Sequence, residues 1–345
     1  MSEIELSGNA LAEEAGEEVP RTYRDLLRAA KLTRAEIGAL HEIRDGRALL
    51  DFLGAAATTA AVPWLYLAFP NALVAVICVL LAIHNFNSFA QVVHGSDHGK
   101  FLSSSRWNDI VGALSAAMLG FTREGHALAH QVHHVKLNTD EDSDRIWGQP
   151  EQSTREMLRM WLQDIFMISA AKRLLQYMQF DRKSFTATPW RGLRPNFFAG
   201  KIGRVIPVLA AQAAIIGYYS AVIGPQYYIF FYVLPILTLY PAQIRLRTAC
   251  EHCFDVGYQP RNVEERWISR SIRTNLLERL VIAPLLIQYH FEHHLLPGVP
   301  YYNLPLARRM LAKNGLEVPL APGYFAFVYR RWRAEQRLAA ASEAA

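Results

Sequence analysis

Two long stretches of this chain, residues 52–93 and 205–244, contain no Asp, Glu, Lys or Arg. Charged residues make up only 19% of the 345 positions and 51% are hydrophobic. Soluble domains are usually about a quarter charged, with the charge spread along the chain, so an ordinary soluble domain is excluded. Cysteine is scarce: Cys78, Cys250 and Cys253. An odd, small set gives no disulfide framework. Cys250 and Cys253 have the spacing of redox and metal sites, but no second such pair accompanies them, and packing is the preferred reading. The N-terminus lacks a positive segment followed by an apolar core. It carries Glu3, Glu5, Glu13, Glu14, Glu17 and Glu18 instead, so residues 1–20 read as a disordered acidic tail. The net charge is +5, yet no basic stripe with interleaved aromatics appears, which argues against nucleic-acid binding.

The uncharged stretches divide at Pro70-Asn71 and at Gly224-Pro225. Their parts, residues 52–69, 72–93, 205–223 and 228–244, approach the roughly 20 residues of a spanning helix. The expected fold is an all-α membrane protein with four transmembrane helices in two hairpins. Trp64, Tyr66 and Phe69 stand where an aromatic belt belongs, and Gly54 allows close helix packing. Neither hairpin turn is charged, and every Lys and Arg lies on the other side. The positive-inside rule then places both termini in the cytoplasm. Residues 21–49 read as interfacial helices, with a capping box at Thr33 and Glu36. Residues 110–121 are too short to cross and read as a re-entrant or interfacial helix. Residues 157–177 are amphipathic and interfacial, and residues 180–204 form a basic loop. The membrane domain is expected over residues 50–305, followed by a soluble cytoplasmic segment at 306–345.

Histidine is concentrated. Three clusters, His94 with His98, His130 with His133 and His134, and His290 with His293 and His294, hold eight of the 12 histidines. Each lies at or near the cytoplasmic end of the expected bundle. Positions i, i+3 and i+4 share one helix face. With His252, just past the fourth expected span, the candidate ligands number nine. One tetrahedral zinc takes four, so nine fit two metal ions with open positions, held in a helical cytoplasmic cap. Imidazole suits iron, copper and zinc; with few soft ligands nearby, iron is preferred over copper. Asp97, Asp142, Asp144 and Glu292 either orient the imidazoles through the second ring nitrogen or are solvated charges. His41 reads as a surface residue. His84 lies within the second span, where an ionisable group is a functional candidate, lining a substrate tunnel or satisfied inside the bundle. His126 lies one turn before His130 and reads as a support for the ligands.

The pattern H-x-x-x-H, H-x-x-H-H, H-x-x-H-H resembles the membrane fatty acid desaturase/hydroxylase superfamily. Trp107-Asn108-Asp109 after the first box matches its first region. Asp142-Ser143-Asp144 is similar to its D-P-D, with Ser143 replacing the proline. The run from Tyr289 through His294 to Pro305 is the closest match. The resemblance covers residues 52–305 and implies two irons, O2 activation, four spans and His252 as an additional ligand. Some members carry an Asn one turn before that histidine. Here the position is Thr248, and Asn275 is the substitute considered.

The resemblance implies an oxidoreductase that desaturates a fatty-acyl chain. No haem-binding extension or iron–sulfur cysteine pattern is present, so electrons are expected from a separate ferredoxin or cytochrome b5-like carrier and its reductase, docked on the basic face. The alternative within the class is a hydroxylase or ketolase of a fatty acid, alkane or carotenoid; the segment from Val135 to Thr139 is similar to alkane hydroxylases. Of another class, a bis-histidine haem electron-transfer protein needs facing histidines inside the lipid, and only His84 is deep. A zinc transporter needs polar or acidic residues within the spans, against which the two charge-free hairpins speak.

Overall fold

The computed structural model describes residues 23–171, 205–258 and 269–344. The expected acidic tail and the basic loop at 180–204 lie outside these residues, as does the end of the helix expected at 157–177.

Two short helices, α1 (Tyr23–Ala29) and α2 (Arg34–Leu40), lead in. Thr33 and Glu36 form the expected capping box, with Thr33 Oγ1 accepting from the Glu36 amide at 3.2 Å. Helix α3 (Asp45–Ala68) and helix α4 (Ala72–Asp97) form the first hairpin, turned at Pro70 and Asn71. Asn71 caps α4 by accepting from the Val74 amide, which satisfies a backbone donor that would otherwise be orphaned. Two more helices follow, α5 (Ser105–Met118) and α6 (Arg123–Lys136), then α7 (Thr154–Ile165), which a Ser153–Glu156 capping box starts. Helix α5 has 14 residues and packs on α4.

The second hairpin is α8 (Ile206–Val222) and α9 (Pro225–His252). Gly224 supplies the turn at φ +107°, a region that side chains with a Cβ rarely enter. Helix α9 contains a π-helical stretch at Ile229–Val233 and a distorted Thr238. Three helical stretches, Arg34–Ala68, Ala72–Asp97 and Pro225–His252, are long and apolar enough to cross a membrane. Helix α8 is shorter, at 17 residues, or about 26 Å at the usual rise.

The hairpins share one aromatic-rich core. Phe86 of α4 meets Tyr232 of α9 edge-on at 5.0 Å, and Tyr66 of α3 meets Phe231 at 4.9 Å. A polar seam crosses it: Thr58 donates to Asn85 at 2.8 Å, and Asn87 donates to Gln243 at 2.6 Å. Such bonds hold helices together where apolar contact gives no preference over lipid.

Helix α9 does not stop where the expected span ends at 244. It runs on to His252 because its first charge, Arg245, is buried and paired. The guanidinium holds Asp164 of α7 and donates to the Ile146 and Trp147 carbonyls at 3.2 and 2.7 Å. The chain ends in strand β1 (Ser271–Arg273), α10 (Leu276–Val281), α11 (His290–Leu295), α12 (Leu304–Lys313), strand β2 (Leu320–Pro322) and α13 (Tyr324–Ala344). Strands β1 and β2 pair in parallel, Ile272 opposite Ala321. This short pair is the one departure from an all-helical chain among the described residues.

Candidate metal centre

Four helices bring nine imidazoles together. Helix α4 carries His94 and ends at His98, α6 carries His130, His133 and His134, α9 ends on His252, and α11 carries His290, His293 and His294. The nine fall into two groups: His94, His98, His130, His134 and His293 in one, and His133, His252, His290 and His294 in the other. Within each, the ring nitrogens that face one another lie within 4.8 Å. Each of the second and third boxes feeds both groups.

The contacts between the rings test whether a metal ion fits. In the larger group, the Nε2 atoms of His94 and His293 are 2.8 Å apart, those of His98 and His130 2.9 Å, and His134 Nε2 lies 3.0 Å from both His130 and His293. In the smaller group the separations are 2.6 Å for His252–His290, 3.0 Å for His290–His294 and 3.3 Å for His133–His294. A neutral ring nitrogen is either donor or acceptor, and one N–H points one way. His130, His134 and His293 each meet two partners through the same nitrogen, so protons do not satisfy the cluster. Nitrogens held about 2.1 Å from a shared ion stand about 3.0–3.4 Å apart. The donor set therefore fits one ion per group.

The charge states agree. Burial first, and then the neighbouring imidazoles, hold His130, His293 and His294 well below the usual imidazole range. Burial also brings His98 down to about 4. These rings are neutral and keep the lone pair a metal needs. His133 is the exception. Burial opposes its charge, but Asp144 and Asp142 outweigh burial and raise it to about 9.

Supports behind the rings differ from group to group. His133 Nδ1 lies 2.8 Å from Asp142 Oδ1, and Asp142 is fixed in turn by the Asn138 and Asp144 amides at 2.7 and 2.9 Å. Asp144 stands 3.8 Å from the same ring nitrogen. His290 Nδ1 lies 3.5 Å from Glu251, which accepts from Tyr324 at 3.1 Å. His94 Nδ1 lies 3.3 Å from the Gln91 amide oxygen. Sequence reasoning missed Glu251 and Gln91; Gln91 stands one turn before His94, the one signal that points to it.

Asp97 and His126 meet each other, His126 Nδ1 lying 2.6 Å from Asp97 Oδ2. Arg123 completes this knot. It stands 3.3 Å from Asp97, donates to the Ser96 carbonyl at 2.8 Å and pairs with Asp109 at 2.8 Å. A cation in the first turn of α6 opposes the helix dipole, so its partners on α4 and α5 account for it. Gly112 leaves room for it: an added Cβ would lie 2.8 Å from Arg123 Cδ and 2.6 Å from Ser96 Cβ. Glu292 sits between box residues but turns away from the rings, bound by Ser271 and Arg308. Asn275 caps α10, accepting from the Glu278 amide at 2.9 Å. His84 Nδ1 lies 2.6 Å from the Leu280 carbonyl. Cys250 and Cys253 are buried free thiols packed in separate apolar clusters.

A family model described as fatty acid desaturase matches residues 28–324. The chain belongs to the fatty acid desaturase family. Among the desaturases it resembles, dihydrorhizobitoxine desaturase of Bradyrhizobium elkanii is 24% identical over 253 residues, covering 68% of this chain and 64% of that protein. The chloroplastic omega-6 fatty acid desaturase of Glycine max is 24% identical over 245 residues, covering 66% of this chain and 53% of that protein. The alignments thus span less than two thirds of either relative. Family, apolar helices and histidine groups together describe a member of the desaturase family with two groups of potential metal ligands.

Proposed function

We propose that this chain is a multi-pass membrane enzyme that introduces a double bond into a fatty-acyl chain, using two irons, O2 and electrons from a separate carrier. The observation that carries the reading is the division of nine imidazoles, all buried or half-buried, into two converging groups beside long apolar helices. His94, His98, His130, His134 and His293 would hold one ion; His133, His252, His290 and His294 the other. When bound, the irons supply the reduction of O2 and the removal of two hydrogens from an unactivated alkyl chain. O2, two electrons, two protons and the two hydrogens taken from the chain become two waters as the C–C bond becomes C=C.

The rest of the work falls to this chain's side chains. The buried and half-buried imidazoles would hold the ions and limit the access of water to them. Asp142 and Glu251 orient His133 and His290 through their second ring nitrogen, and Gln91 orients His94. In this reading α8 is the fourth span, and the boxes and both termini face the cytoplasm, supported by the uncharged turns at Pro70-Asn71 and Gly224-Pro225. The two relatives carry different substrates in their names, so the family leaves the acyl chain, its carrier and the electron donor to experiment.

Hydroxylation of an acyl chain or alkane is the second reading, favoured by Val135 to Thr139 after the second box. Mass-spectrometric lipid profiling after expression in a host lacking this activity separates the two. Lipids two mass units lighter are expected. Lipids 16 units heavier would assign a hydroxylase, and no change in cells containing iron-loaded protein and a working donor would overturn acyl desaturation.

A further inference from the structure

Two helices beyond the metal centre turn apolar faces outward, side by side. On α7, Leu158 and Leu162 are 46% and 47% exposed. On α13, Phe325, Tyr329 and Trp332 form an exposed stripe at i, i+4 and i+7. A groove of about 410 Å³ runs between the helices, with Met157 and Trp161 on one wall, Val328 on the other, and Leu246 and Ala249 of α9 as its floor. Soluble proteins rarely leave so continuous an apolar surface to water.

We propose that this α7–α13 face is seated in the headgroup layer of the bilayer, with lipid acyl chains covering the groove. The C-terminal helix is then a membrane-contacting element and not the soluble segment its charge suggests. The proposal rests on reading α9 as a span. Counted from Pro225, about 20 residues cross the hydrocarbon, and the interfacial layer beyond adds roughly 5–7 Å. Leu246 and Ala249 fall within that layer, so the groove they floor lies at headgroup depth. Trp161, Tyr329 and Trp332 stand at this level, where amphipathic rings are favoured. Exposed arginines flank them, Arg155 and Arg159 on α7 and Arg330 and Arg333 on α13. Their long stems can lie along apolar surface while the guanidinium reaches lipid phosphate.

The test uses nitroxide labels on the full-length chain in phosphatidylcholine–phosphatidylglycerol vesicles. Leu162→Cys and Tyr329→Cys report on the face, Leu237→Cys on the middle of α9, and Glu317→Cys on water. Collision with lipid-soluble oxygen is expected to exceed collision with a water-soluble nickel chelate at 162, 329 and 237, with the reverse at 317. Nickel-dominated collision at 162 or 329, with 237 still oxygen-dominated, overturns the proposal while leaving the span intact. Shielding of 162 or 329 from both quenchers overturns it too, because protein then covers the face. Nickel-dominated collision at 237 would instead remove the membrane reading on which the proposal stands.

Discussion

The two histidine groups share the second and third boxes but are supported by different chemistry. The five-imidazole group has a neutral amide behind one ring, Gln91 at His94. The four-imidazole group has carboxylates behind two, Asp142 at His133 and Glu251 at His290. A carboxylate makes an imidazole a stronger donor and fixes its ring. In the proposed centre the smaller group would offset one fewer ligand with negative charge, while the larger would rely on ligand number. The lesson is that the two metals would sit in unequal environments although no ligand differs in type.

The largest effects come from removing one ligand per group. His293→Ala and His294→Ala should each abolish product formation while leaving membrane insertion intact, and metal analysis should show loss centred on one ion in each case. If either variant keeps both metals and full activity, the division into groups is wrong. Next is the ion pair that anchors the end of α9, and with it His252. Asp164→Ala leaves Arg245 buried and unpaired, a loss of about 3–5 kcal/mol readable as a lower Tm in detergent. An unchanged Tm would remove the pair as the reason α9 extends past its apolar run.

Carboxylate support is the sharper probe of the contrast. Asp142→Asn should weaken metal binding at the four-imidazole group by about 10–100-fold, measured by chelator competition, with the five-imidazole group little changed. Equal loss from both would erase the difference between them. The smallest effect is expected from Gln91→Leu, which removes one neutral hydrogen bond worth about 1 kcal/mol and should weaken only the five-imidazole group. A loss as large as that of Asp142→Asn would mean the amide matters as much as the carboxylate.

The spacing of the boxes announced which histidines converge, because i, i+3 and i+4 share a helix face. It did not announce the division. His130 and His134 join one group while His133, between them, joins the other; in the third box His293 parts from His290 and His294. That depends on how four helices cross, which local periodicity does not encode. Of the carboxylates beside the boxes, Asp142 does meet a box histidine, His133, whereas Asp97 meets His126. Glu292 was an attractive candidate by position, but its side chain is bound by Ser271 and Arg308. Asn275 has the right chemistry for a distant ligand, yet its local role as a helix cap uses it. The apolar runs marked both hairpins, but α9 outran its charge-free stretch because Asp164, far away in sequence, neutralises Arg245.

The most direct test of the central claim is the metal content of the purified chain, with iron, zinc and copper determined together per mole of protein. Close to two irons per chain are expected, lost together with activity on chelation and restored with it. A stoichiometric zinc content without iron, or a single ion per chain in fully active protein, would contradict the two-iron centre.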